Sequence, residues 1–382
     1  MDAQYYRRPL PPELVAFSSD LGRQVFREAL AEGNMEGYFA VAEQYQTQAE
    51  PAFCGLGSLV VALNALAIDP GRLWQGPWRW FDEKMLDCCV PLEVVRQQGI
   101  TMHEFGCLAR CNGAAAHVVL ADGSTAHGSI DDFRNDLAAA LSRNDGVIVV
   151  AYGRQALGQS GDGHFSPIGG FCAARDLVLI MDVARFKYSP HWVKTADLYA
   201  AMKAFDSVTG KPRGWVHLRR ALGAPPILLR LLVTNGAGPA ALAPLVDRLQ
   251  QTLATASEVT AVLDVFAELP PALAQAIGVL HDPARVPTEH AALTEPLRLA
   301  LNATPLMDAI RASSIPAAQQ ELVALFLLAL PPAALADAAP HLRNALTQLT
   351  TLPTSHVTLQ LEVAALAQQL AVVWCNAARC AV

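Results

Sequence analysis

Gln48-Ala49-Glu50-Pro51-Ala52-Phe53-Cys54-Gly55-Leu56-Gly57-Ser58-Leu59 is the stretch that decides the fold. A cysteine follows a proline and opens an apolar run through Leu59, Leu63 and Leu66, at helical spacing. The pattern predicts a buried helix from Cys54 to Ala67, stopped by Asp69-Pro70-Gly71. The first turn of a helix carries free N–H groups and the positive end of the dipole. A thiolate is stabilised there, so Cys54 is a candidate nucleophile. Gln48, upstream of it, is a candidate oxyanion donor. Nucleophile, helix and donor in this order suit acyl transfer through a covalent intermediate.

A thiol nucleophile needs a base, and the base needs a group that orients it. His164 follows the glycine loop Gly161-Asp162-Gly163 and opens an apolar strand. Asp182 ends a second one, Leu177-Val178-Leu179-Ile180-Met181. His164–Cys172 and Leu177–Val183 read as a hairpin through Ala173-Ala174-Arg175-Asp176, which brings His164 and Asp182 to one end. Spacing alone leaves this constellation level with an inert core cysteine and a structural histidine. His191, His103 and His117 are rival bases, but none has a glycine loop and strand beside it.

The remaining elements follow by pattern. Met85 to Gly99 reads as helical, with Pro91 near a helix start. Ile130 to Ser142 reads as a helix capped by Ser129, with Asp131 and Asp132 in its first turn. Gly146–Tyr152 is a β-branched strand and Trp215–Leu218 another. Helices first and then clustered antiparallel strands is an α+β order. Near residue 220 the composition changes. Aromatics nearly vanish and Ala and Leu dominate, which predicts domains at 1–220 and 221–382 with a Pro/Gly turn between them. The second part reads as about six short helices. Leu269–Ala272 and Leu330–Ala333, both Leu-Pro-Pro-Ala, read as helix starts.

Composition excludes several classes. With 382 residues, 52% hydrophobic and 16% charged, the chain is globular and long enough for two cores. A net charge of −7, without a basic stripe, argues against nucleic acid as a partner. Leu322–Ala336 is interrupted by Pro331-Pro332 and is too short to span a bilayer, so no membrane partner is expected. The N-terminus lacks the apolar run of a signal peptide, and eight cysteines are too few for a disulfide scaffold. A reducing cytoplasm is the expected location.

Two long runs carry a resemblance. QTQAEPAFCGLGSLVVALNALAIDPGRLWQGPWRWFDEKMLDCC, at 46–89, and GDGHFSPIGGFCAARDLVLIMDVARFKYSPHWV, at 161–193, closely resemble the catalytic core of phytochelatin synthases. The likeness runs through residues 1–220. It implies a papain-like domain, a Cys54–His164–Asp182 triad and a transferase that polymerises glutathione units into metal-chelating peptides. The acyl group would be γ-Glu-Cys, with glycine leaving. Its amino and carboxylate ends need an acid and a base in the protein, for which Asp206 and Arg213 are candidates. Arg185, Lys187 and Tyr188 are candidates for holding the second substrate. A hydrolase with the same triad is the first alternative, and a non-enzymatic thiol metal binder the second. The implied partners are glutathione, phytochelatins and metal ions, in a monomer or homodimer.

The resemblance also implies stimulation by cadmium or zinc, as a metal–glutathione thiolate rather than a tightly bound cofactor. Cys88, Cys89, Cys107 and Cys111 offer a soft set for exchangeable metal, or are simply reduced thiols. Plant members of the family often carry many cysteines in the C-terminal half. Here only Cys375 and Cys380 stand there, which favours folding support over metal sensing.

Overall fold

A computed structural model of the chain describes residues 6–71, 73–122, 127–221, 229–231, 243–267, 277–279, 292–353 and 355–378. The chain divides into two compact units. The first comprises Met1–Asp69, Trp80–Leu86 and Val94–Ala224; the second comprises Pro70–Arg79, Asp87–Glu93 and Pro225–Val382. Composition gave no sign that 70–79 and 87–93 belong with the second unit.

The first unit is α+β. Its strands are β1 (Val15–Ala16), β2 (Ala114–Leu120), β3 (Gly146–Gly153), β4 (Gly163–Cys172), β5 (Leu177–Ile180), β6 (His191–Lys194) and β7 (Gly214–Arg220). They form one antiparallel sheet in the order β1-β6-β5-β4-β3-β7-β2. Strand β3, Gly-Val-Ile-Val-Val-Ala-Tyr-Gly, is buried along its whole length, so its apolar residues need no alternation with polar ones.

The helices among these strands are α1 (Asp20–Ala31), α2 (Glu36–Gln44), α3 (Cys54–Ala65), α4 (Leu92–Gln98), α5 (Met102–Cys111), α6 (Ile130–Leu141) and α7 (Thr195–Met202), and of them α2, α3, α6 and α7 cover β3. Helix α3 packs on β3 and β4, and so does α6. Every residue of α3 from Gly55 to Asn64 is buried, as expected of a helix that is apolar all round. It stops at Ala65, two residues short of the expectation, and Ala67 takes left-handed backbone at φ 50°.

The hairpin forms as expected. Strands β4 and β5 pair from Ile168↔Ile180 to Cys172↔Leu177, and Asp176 supplies the left-handed turn residue. A bulge falls between Ile168 and Gly170. A Cβ on Gly170 would lie 2.1 Å from the Met35 sulfur, so a side chain there requires Met35 to move. Ser129 caps α6 in a capping box with Asp132. The 85–99 region is less helical than its pattern suggests. A 3-10 turn, Glu83–Met85, precedes the short α4. Helix α5 was not read from periodicity, although Thr101 and Glu104 form a capping box at its start.

The second unit holds α-helices at Ala243–Thr255, Val259–Ala267, Thr294–Asn302, Pro305–Arg311, Ala317–Leu328, Pro340–Thr350 and Val357–Ala378. Leu229–Leu231 and Ile277–Val279 pair antiparallel, a ribbon not anticipated. Leu249, Phe266, Leu301 and Phe326 are fully buried in its core. Proline opens two of the helices, at Pro305 and Pro340. The segment after Leu330 is instead a 3-10 turn, Pro332–Leu335, and 269–272 lies outside the described residues. Among the described residues no helix is long and apolar enough to cross a membrane.

Candidate active site

Cys54 is the first residue of α3, after the N-cap Phe53. Burial alone would raise its thiol pKa. The neighbouring His164, a hydrogen bond from His164, the Phe165 backbone N–H and the Arg154 charge outweigh that and hold it below the ordinary thiol value.

Register puts His164 beside it. His164 pairs with Tyr152 across β4 and β3, and the Tyr152 ring stands edge-on to the imidazole, centroids 5.8 Å apart. Asp182 lies just past β5. Its Oδ1 is 2.8 Å from His164 Nε2. That contact puts the Nε2 proton toward the carboxylate, leaving Nδ1 as the ring's other functional nitrogen. Burial and Arg154 push the imidazole pKa down, but Asp182 and Cys54 reverse this, and the net shift is upward. Asp182, fully buried, pays desolvation yet is held well below the usual carboxylate range by His164 and Arg154.

Arg154 escaped the sequence reading. It follows β3 directly, and its Nη2 sits 3.0 and 2.8 Å from the two Asp182 oxygens. Its Nη1 donates to Gln159 Oε1 at 2.7 Å, and Gln159 Nε2 meets His191 Nε2 at 3.1 Å. His191 Nδ1 lies 2.9 Å from the Ser189 carbonyl and therefore donates to it. Burial lowers the His191 pKa, so this rival base is a neutral member of the buried network behind Asp182. Nothing in the pattern around Gly153-Arg154 distinguishes this arginine from a surface one. Only the topology puts it beside Asp182.

The other expected site residues divide. Cys54, His164, Arg154, Lys187, Asp206 and Arg213 line one cleft of about 430 Å³. Arg213 is buried, 4% exposed, and bonds the Ala204 and Phe205 carbonyls at 2.9 and 3.0 Å. Its Nη2 is 3.4 Å from Asp162 Oδ1 and 3.8 Å from Asp206 Oδ2. Lys187 donates to the Ser160 carbonyl at 2.6 Å. Burial, and then Arg154, lower its pKa. Tyr188 does not line the cleft; its ring lies under Arg154 and its hydroxyl accepts from the Ser160 N–H. Arg185 is exposed and stacks over Tyr45, whose hydroxyl donates to the Asp182 carbonyl at 2.5 Å.

Gln48 is buried beside α3 and is not among the cleft-lining residues. Its Nε2 donates to the Glu50 and Pro51 carbonyls at 2.8 and 2.9 Å. Cys88, Cys89, Cys107 and Cys111 are all buried. Cys375 lies in the last helix and Cys380 outside the described residues.

A family model for phytochelatin synthase matches residues 5–215. The chain belongs to this family. It is 51% identical over 227 residues to glutathione gamma-glutamylcysteinyltransferase 3 of Lotus japonicus, covering 59% of this chain and 47% of that one. Similarity to glutathione gamma-glutamylcysteinyltransferase 1 of Arabidopsis thaliana is 50% over 230 residues, covering 60% and 47%. The glutathione gamma-glutamylcysteinyltransferase of Schizosaccharomyces pombe is 47% identical over 214 residues, covering 56% and 51%. The chain thus spans about half the length of the curated relatives it matches.

Proposed function

We propose that this phytochelatin synthase family member is a γ-glutamylcysteinyltransferase that builds metal-chelating peptides from glutathione. The observation that supports it best is one cleft with an activated thiol at Cys54 and an Arg213–Asp206 pair among its other lining residues. A γ-glutamyl group carries an α-carboxylate and an α-ammonium. Arg213 matches the first and Asp206 the second.

In this reading the Cys54 thiolate attacks the Cys–Gly carbonyl of glutathione. His164, which took the thiol proton, gives it to the departing glycine amine. Asp182 fixes the imidazole, and Arg154 holds Asp182 ionised. The Cys54 N–H stabilises the oxyanion, joined by Gln48 when one of its N–H groups leaves its backbone carbonyl. The acyl-enzyme is a γ-Glu-Cys thioester. The α-amine of a second glutathione or of a growing phytochelatin attacks it and releases Cys54. Lys187, one of the cationic residues lining the cleft, is available to that acceptor's carboxylates, while Arg185 and Tyr188 lie outside the cleft lining.

Cadmium or zinc enters as substrate, bound to glutathione thiolates. Exchangeable metal at Cys88, Cys89, Cys107 and Cys111 would need their thiols deprotonated. The test is a mass spectrum of products from glutathione with and without cadmium. The reading expects free glycine and (γ-Glu-Cys)n-Gly peptides. Glycine with γ-Glu-Cys alone means a hydrolase with the same site, and unchanged glutathione means a thiol binder.

A further inference from the structure

Glu83 is a buried acid that the proposed chemistry leaves unused. It sits on the 3-10 turn Glu83–Met85 and is 3% exposed. Its Oε2 accepts from the Ala49 N–H at 2.8 Å. Its Oε1 has no hydrogen-bond partner among the described residues, and neither has Oε1 of the buried Gln48.

Both residues lie against Gly57, one turn into α3 beyond Cys54. A Cβ on Gly57 would come 2.7 Å from Glu83 Oε1, 3.2 Å from Gln48 Cβ and 3.4 Å from Gln48 Cα. The carboxyl therefore fills the place of a side chain on the nucleophile helix. From there it grips the backbone of the segment carrying Gln48. The Gln48 N–H is itself tied to the Val183 carbonyl at 3.0 Å, next to Asp182.

We propose that Glu83 is a positioning residue which, as the neutral acid, pins the Gln48–Pro51 segment to the start of α3 and so sets the oxyanion side of the site. A proton on Oε1 turns one of these two donorless buried acceptors into a donor. An ionised Glu83 would leave an unpaired charge in the interior. Its surroundings agree. Burial foremost, then Asp82 and Glu50, raise its pKa from 4.5 to about 7, against the Ala49 N–H. Glu50 is itself 3.5 Å from Arg96, and the titratable group that α3 brings is Cys54.

The proposal deepens the transferase reading and rests on it. The test compares Glu83→Gln and Glu83→Ala with the parent. Glutamine keeps the acceptor for Ala49 and adds a permanent donor. Glycine release from glutathione should fall about tenfold to a hundredfold in Glu83→Ala, the scale of a small misplacement. It should be largely restored in Glu83→Gln. Melting temperature against pH is the second readout. Between 4.5 and about 7 the unfolded Glu83 ionises while the folded one keeps its proton, so parent stability falls as pH rises. Glu83→Gln should lack that component. Parallel melting profiles, parental glycine release from Glu83→Ala, or a Glu83→Gln as slow as Glu83→Ala overturns the proposal. A parent that releases no glycine sinks the transferase reading instead, and the melting profiles still decide whether the neutral acid stabilises this segment.

Discussion

The two units bury different things. The first inters Arg154, Gln159, His164, Asp182, His191, Arg213 and Glu83 alongside its apolar core. The second inters leucines and phenylalanines, with Thr304 and Glu362 its buried polar residues among those described. Burying a charge costs several kcal/mol, on the order given by desolvation, unless it is paired and hydrogen-bonded. A fold that needed only stability would resemble the second unit. The polar interior of the first gathers where α3, β4 and the end of β5 converge, beside Cys54, His164 and Asp182.

The comparison breaks first at Cys54. Cys54→Ser should abolish glycine release while the melting temperature stays near the parent value. A serine hydroxyl stays protonated where the thiol ionises, so the nucleophile is lost and the packing is not. Glycine release above a few per cent of the parent rate would show that the polar interior serves some other group.

This asymmetry also explains what the sequence made legible. Cys54, His164 and Asp182 were readable because each marks an element boundary: a helix start, a strand start and a strand end. The α+β order followed from the same boundaries. Arg154 was not readable. Its partner lies 28 positions away, and only β3–β4–β5 pairing makes them neighbours. Tyr188 and Arg185 illustrate the opposite case. Their types suited substrate binding, but backbone direction after Asp182 turns one under Arg154 and the other over Tyr45. Glu83 reads locally as a surface acid on a polar turn, and α3 covers it.

The next effect in size belongs to the imidazole and its support. His164→Ala should remove nearly all glycine release. Asp182→Asn should cost less activity, since an amide can still orient the ring, but should leave Arg154 buried without its counter-charge. That loss is expected to destabilise the first unit by about 3–5 kcal/mol. The pH profile carries a sign. Asp182 helps raise the His164 pKa, so the thiolate–imidazolium pair persists until pH rises through that raised value. Without the carboxylate the alkaline limb of kcat/KM should move to lower pH. An unmoved limb would detach Asp182 from His164.

Smaller again is the effect of substrate grip. Arg213→Ala should raise the glutathione requirement and slow acylation by about 2–5 kcal/mol in kcat/KM, as for a buried charge contact. Arg213→Lys keeps the charge but loses the fork, and should recover only part of it. Unchanged kinetics in both would leave Arg213 as a clamp on the Ala204 and Phe205 carbonyls.

The smallest effect on chemistry is expected in the second unit, together with a large one on its stability. Phe326 is fully buried there, edge-on to Phe266 with centroids 5.6 Å apart. Removing the ring leaves a cavity among leucines, and Phe326→Ala should cost about 3–5 kcal/mol of unfolding free energy. Acylation by Cys54 should stay within about twofold of the parent at temperatures below the new transition, because the ring belongs to the core of the second unit. Calorimetry on the variant, run beside glycine release at the same temperatures, separates the two quantities. A variant that melts early yet acylates normally marks the apolar unit as support for folding. If acylation falls in step with melting, the second unit is part of what holds the charged interior of the first in register.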